Sequence, residues 1–204
     1  MTPVLLLVAA YLIGGIPFGF LLVKWKTGSD VRASGSGNIG ATNVLRTTGR
    51  VTGVATLLLD VAKGWIAVWL MDQYSGANPD DLPLWTSLAA IAVMAGRAYP
   101  VFLKFKGGKA VASFLGAFLY LTPLPILAIL LVFVVTVAVT RHISLGSILA
   151  AGLFPFGVWL ILHPPAPIVI AAAIAGAFIV WRHKENIARL RAGTESVFAF
   201  RKTQ

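Results

Sequence analysis

KAVASFLGAFLYLTPLPILAILLVFVVTVAVTR, Lys109 to Arg141, holds no charged residue between its two ends. It is either one long kinked membrane span or two shorter ones, and the choice decides which side of the membrane everything after it occupies. Thr122-Pro123-Leu124-Pro125 interrupts the run. Proline has no N–H and clashes with the preceding turn, so a proline pair does not continue a helix. The stretch therefore reads as a short span over 110–121 and a second over 125–140.

Outward from this stretch, further apolar runs occupy 3–23, 51–71, 84–103, 144–162 and 165–181. Each approaches the length of about 17–25 residues that crosses a bilayer. The chain is 58% hydrophobic and only 12% charged, where a soluble domain carries about 25% charged residues. The composition predicts a polytopic membrane protein. The first run has its lysines, Lys24 and Lys26, after it and no basic segment before it, so it is expected to be a retained span and not a cleaved signal.

The basic residues choose between six spans and seven. Lys24, Lys26, Arg32, Arg46 and Arg50 lie between the first two runs, Lys104, Lys106 and Lys109 between the third and fourth, and Arg141 between the fifth and sixth. Six more basic residues, from Arg182 to Lys202, follow the last run, while loops 72–83, 122–125 and 163–167 contain none. With seven spans all the basic loops share one side, as the positive-inside rule requires; with six they do not. The expected fold is all-α, with seven transmembrane helices, a short fourth helix, the N-terminus outside and the C-terminus cytoplasmic. It forms one integral membrane domain over 1–204, with 193–204 a flexible cytoplasmic tail.

The net charge of +10 therefore answers to orientation and anionic lipid headgroups, not to nucleic acid. With no cysteine in the chain, disulfides, thiolate metal sites and cysteine nucleophiles are excluded. Asp60, Lys63 and Arg97 fall inside spans, where charges face the bundle interior and find partners. Asp60 is expected to pair with Arg97 or with Lys63.

One cytoplasmic stretch, SGSGNIGATN from Ser34 to Asn43, spaces Gly35, Gly37 and Gly40 as a dinucleotide fingerprint does. That reading needs a strand before the glycines, and here a membrane helix precedes them. A Walker loop fails as well, because Ala41 stands where its lysine belongs. What remains is a nest of backbone N–H groups able to hold an anion, joined by Ser34, Ser36, Asn38, Thr42 and Asn43, with Arg46 at helical distance. A flexible polar connector is the plainer alternative, but it needs no such density of donors.

KFKGGKA, Lys104 to Ala110, sets Gly107 and Gly108 beside Lys109 at the start of the short span, where a helix N-terminus favours an anion. RHISLGS, Arg141 to Ser147, places Ser144 and Ser147 on one face, although a serine there is as often a helix cap. In WRHKENIARL, His183 and Asn186 are three apart and share a face. No HEXXH and no Ser-His-Asp order occurs, so metal and covalent catalysis have no positive support. Donor-rich, acid-poor loops on one face suit small phosphate-bearing substrates, and beside a bilayer one substrate can carry an acyl chain.

SGSGNIGATN, LDVAKG, FKGGKAVAS, RHISLGS and RHKEN, in this order, resemble the bacterial acyl-phosphate:glycerol-3-phosphate acyltransferase family over nearly the whole chain. The resemblance implies an inner-membrane enzyme of phospholipid biosynthesis that needs no cofactor and no metal. It would move an acyl group from acyl phosphate to the 1-hydroxyl of sn-glycerol 3-phosphate, giving lysophosphatidic acid and inorganic phosphate. The partners it implies are these two substrates, membrane lipids and the acyl-phosphate-producing enzyme of the same pathway.

By motif, Ser36, Gly37 and Asn38, with Gly35, Thr42 and Asn43 around them, would hold the donor phosphate, assisted by Arg46 and Ser147. Lys109, His183 and Asn186 would position glycerol 3-phosphate, with Gly107, Gly108 and Ser144 nearby. Two departures stand out. Arg97 replaces the family's usual histidine, and Ala110 replaces a common glycine, an exchange expected to be mild. A small anion or organophosphate transporter is the rival reading, since a broken helix ending at a bound anion also suits transport.

Overall fold

The computed structural model describes residues 2–198. They are helical, with no strand among the described residues, and the chain divides into two compact units, Met1–Leu121 and Thr122–Gln204. The first unit holds α1 (Pro3–Gly15), α2 (Phe18–Thr27), α3 (Ala41–Thr48), α4 (Arg50–Tyr74), α5 (Leu82–Ala98) and α6 (Val111–Leu121). The second holds α7 (Pro123–Thr140), α8 (Ile143–Leu162), α9 (Ala166–Arg182) and α10 (Lys184–Arg191).

The expected break at Thr122 is present. α6 stops at Leu121, and α7 opens with proline in its first turn, where the missing N–H would have had no helical partner anyway. Five segments are long and apolar enough to cross a membrane, and α9 with α10 make a sixth if that pair, bent by 55°, is one span. α6, at 11 residues, is shorter. The protein is an integral, multi-pass membrane protein.

α4 shows how such a helix is built. Its buried face is small or polar over most of its length, through Thr52, Gly53, Thr56, Asp60, Lys63, Gly64 and Ala67, and turns apolar only at Val68 and Met71. Leu57, Leu58, Trp65 and Ile66 are exposed instead. Lipid is as apolar as leucine, so helices associate through close backbone packing and internal polar contacts. A methyl group at Gly64 would overlap the Ser113 carbonyl of α6, and one at Gly116 would overlap the Val61 carbonyl of α4. α1 and α5 meet in the same way, Gly14 against the Val93 carbonyl and Gly96 against that of Tyr11.

The first expected span is present as Pro3–Thr27, with its helix interrupted at Ile16 and Pro17 between α1 and α2. The break frees carbonyls in an apolar setting, where each needs a donor. Lys63 supplies it, donating from Nζ to Gly14 O at 2.8 Å and Ile16 O at 2.9 Å. The same Nζ lies 2.8 Å from Asp60 Oδ1, and Arg97 Nη2 lies 2.9 Å from Asp60 Oδ2. Asp60 thus pairs with both expected partners, and all three residues are at most 4% exposed.

In the tail expected to be flexible from Gly193 onward, Thr194 N donates to Arg189 O at 2.9 Å and Phe198 N to Arg141 O at 2.7 Å. The rest of that tail, 199–204, with Arg201 and Lys202, lies outside the described residues.

Candidate active site

Each unit carries its own polar cluster. In the first, the glycine-rich loop runs from a turn of 3-10 helix, Val31–Ala33, to the N-terminus of α3. Gly35 and Gly37 have φ of 60° and 68°, the left-handed region in which a side chain is disfavoured. Asn43 holds the loop from beneath. Its Nδ2 donates to Asn38 O at 2.8 Å, Ser34 O at 3.0 Å and Val31 O at 3.2 Å, and its Oδ1 accepts from Ser36 N at 2.9 Å. The residue is 2% exposed. Asn43 therefore shapes the loop, and this corrects its expected role as a substrate ligand.

Around this frame, Ser36 is exposed at the tip, Asn38 and Thr42 are half-buried, and Arg46 is exposed in the last turn of α3. Asn38 Oδ1 accepts from Gly40 N at 2.9 Å. Asp30, the acid nearest the loop, is paired with Arg32 at 2.6 Å. The side-chain and backbone hydrogen bonds from Arg32 hold its carboxyl below the usual value. Its charge is thus matched locally.

The Gly107-Gly108 loop folds back on the end of α5. Gly107 N donates to Ala98 O at 3.2 Å and Gly108 N to Arg97 O at 3.1 Å. A methyl at Gly107 would overlap the Arg97 carbonyl and the Pro100 ring, so this glycine is required by packing against its own chain. Lys109 follows, half-buried, just before α6. Ala110 has a φ of 63°, which corrects the expectation of a mild exchange: a Cβ in the left-handed region costs about 1–2 kcal/mol.

In the second unit, Ser144 and Ser147 lie buried in the first turns of α8, and His183 and Asn186 are buried at the joint between α9 and α10. Ser147 Oγ donates to Ile143 O at 3.0 Å. His183 Nδ1 donates to Ile179 O at 2.7 Å, which places the neutral ring's proton on Nδ1 and makes Nε2 its acceptor. The α9–α10 bend follows composition, since KENIARLR is too polar to continue an apolar span.

Sequence reasoning missed Glu195. Its carboxylate accepts from Ser144 Oγ at 2.8 Å, Asn186 Nδ2 at 2.7 Å and Arg189 Nε at 2.8 Å. Ser144 is therefore not a helix cap. Burial alone would raise the Glu195 carboxyl, but the hydrogen bonds from Asn186, Ser144 and Arg189 bring it below its usual value. The available signal was a lone acid within a basic tail. Among the described residues no group of His, Cys, Asp and Glu could hold a metal ion.

Residues 4–193 match the family described as glycerol-3-phosphate acyltransferase. A glycerol-3-phosphate acyltransferase of Desulforamulus reducens is 47% identical over 204 residues, covering 100% of this chain and 98% of that one. One of Geobacter metallireducens is 51% identical over 198 residues, covering 97% and 98%. Among solved structures, PlsY, an integral membrane glycerol 3-phosphate acyltransferase, is similar in its glycerol 3-phosphate form at a TM-score of 0.88 and 37% identity, covering 97% of this chain and 96% of that one. The lysophosphatidic acid form gives 0.85 and 36%, covering 97% and 95%.

Proposed function

This chain belongs to the glycerol-3-phosphate acyltransferase family, and from that premise we propose that it transfers an acyl group from acyl phosphate to the 1-hydroxyl of sn-glycerol 3-phosphate. The hydroxyl oxygen attacks the acyl carbonyl carbon, and the bond from that carbon to the phosphate oxygen breaks. The phosphate leaves with the electron pair and takes the hydroxyl proton. Lysophosphatidic acid and inorganic phosphate result. A phosphate group titrates near neutral pH, which suits it to accept that proton without a side-chain base.

The observation that carries this reading is the 34–43 loop, held open by Asn43 with Ser36 at its tip. Such a frame fixes the Ser36 hydroxyl and the Asn38 amide in place, and donors fixed in advance stabilise the charge that develops at the leaving phosphate. Ser36, Gly37 and Asn38 receive the donor phosphate, with Arg46 and Ser147 in support. Lys109 receives the phosphate of glycerol 3-phosphate, and His183 and Asn186 orient that substrate. The distribution of lysine and arginine supports seven crossings with the N-terminus outside and these residues on the cytoplasmic side, and membership of the family supports a bacterial inner membrane.

The test is a donor comparison with purified protein in detergent: palmitoyl phosphate, palmitoyl-CoA or palmitoyl-ACP, each with labelled glycerol 3-phosphate. Labelled lysophosphatidic acid from palmitoyl phosphate alone is the expected result. Product from the thioesters refutes the donor assignment. Uptake of label into liposomes without product favours transport.

A further inference from the structure

Asp60, Lys63 and Arg97 bring two cations to one carboxylate inside the first unit. Buried charge is tolerated when it is paired, and this cluster carries one positive charge too many. The surplus can be located. Lys63 Nζ donates to Gly14 O and Ile16 O and forms an ion pair with Asp60 Oδ1 at 2.8 Å. Arg97 directs Nε and Nη2 to Asp60 Oδ2 at 3.2 and 2.9 Å, and Nη2 also to Ile39 O at 3.3 Å. Its Nη1 is buried and has no hydrogen-bond partner among the described residues.

That nitrogen faces the two loops already described. A methyl on Gly108 would lie 3.0 Å from Nη1 and 3.3 Å from Asn38 Oδ1. With no Cβ at Gly108, the buried Nη1 lies between Asn38, in the glycine-rich loop, and Gly108, next to Lys109. A buried donor left unsatisfied is costly, and a guanidinium matches phosphate oxygens in both geometry and charge.

We propose that Arg97 is a substrate-contacting residue whose Nη1 donates to an oxygen of a substrate phosphate, the anion that neutralises the buried surplus. This rests on the acyl-transfer reading for the identity of the substrate, and the phosphate chemistry is common to acyl phosphate and glycerol 3-phosphate.

The test compares the full-length wild type with Arg97→Lys and Gly108→Ala, purified in detergent. KM for palmitoyl phosphate, KM for glycerol 3-phosphate and inhibition by inorganic phosphate are measured, together with melting temperature. Lysine keeps a charge for Asp60 but cannot also reach forward. Gly108→Ala leaves that pair intact and sets a methyl against Nη1, among side-chain ends that can shift. Each variant is expected to melt near the wild type and to raise one KM roughly tenfold, the loss of one charge-assisted hydrogen bond.

Parallel weakening for palmitoyl phosphate and inorganic phosphate assigns the contact to the donor; weakening for glycerol 3-phosphate alone assigns it to the acceptor. Unchanged KM values and unchanged phosphate inhibition overturn the proposal, as does a fall in kcat that merely tracks a lowered melting temperature. If Arg97→Lys does not fold, the Gly108→Ala constants decide by the same criteria. Thermal protection by inorganic phosphate requires no turnover. If the wild type transfers no acyl group, the broader reading fails, and the Arg97 contact is then judged by whether Arg97→Lys loses that protection.

Discussion

Asp60→Asn removes the single carboxylate that faces Lys63 at 2.8 Å and Arg97 at 2.9 Å, and leaves both cations at most 4% exposed. Taking one partner from a buried pair costs about 3–5 kcal/mol, because the remaining charge has neither water nor a counter-ion. In a chain of this size each kcal/mol shifts the melting temperature by about 2–4 °C, so the variant should melt about 6–20 °C below the wild type. Thermal unfolding in detergent, followed by tryptophan fluorescence, reads this directly. Adding Lys63→Met tests the cause. The substitution returns the cluster from two surplus positive charges to one and should recover part of the loss, although it takes the Lys63 donor from the Gly14 carbonyl and leaves Ile16 O with Phe18 N alone. An Asp60→Asn protein that melts with the wild type, or a double variant worse than the sum of the singles, would refute the account of this cluster.

Four further outcomes are expected. Ala110→Gly relieves a left-handed alanine and should raise stability by about 1 kcal/mol, seen as a higher melting temperature with the KM for glycerol 3-phosphate unchanged. Asn43→Ala removes the brace on Ser36 N and Asn38 O, while Val31 O and Ser34 O keep their backbone donors Ser34 N and Gly37 N; a loss of about 1–3 kcal/mol should accompany a fall in kcat/KM for palmitoyl phosphate. Gly96→Val drives a side chain into the Tyr11 carbonyl and should cost about 1–3 kcal/mol or more through overpacking, read in the same melting assay. Glu195 has its carboxyl depressed in the fold, so its contribution is present above its unfolded value and is lost as pH falls through the lower folded value. The melting difference between wild type and Glu195→Gln should therefore be largest near neutrality and close as the solution is acidified below the ordinary carboxylate range.

Much of the fold is legible in one dimension because the bilayer imposes a length and forbids unpaired backbone. Each expected span has a helix at its place, and the Thr122–Pro125 interruption divides α6 from α7 as proline chemistry requires. The donor-rich character of the loops is equally local, since it depends on glycine, hydroxyl and amide groups close together along the chain. Asn38 and Asn43, by contrast, look alike in the sequence, yet one lies beside a candidate ligand position and the other is the loop's internal brace. Only the three-dimensional path of the carbonyls it holds distinguishes them.

The same limit explains Glu195 and the charged triad. An acid in a basic tail carries no sign of its partners until the chain returns to Ser144 and Asn186. Residue type and spacing along the chain determined that this is a helical membrane protein with donor-rich polar loops, because hydropathy and backbone donors act over a few residues. Tertiary structure alone decided that Lys63 mends the break at Pro17, that Asp60 serves two cations and that one edge of Arg97 is left over. Those outcomes depend on distances between segments far apart in sequence, and the balance of buried charge is settled only where the segments meet.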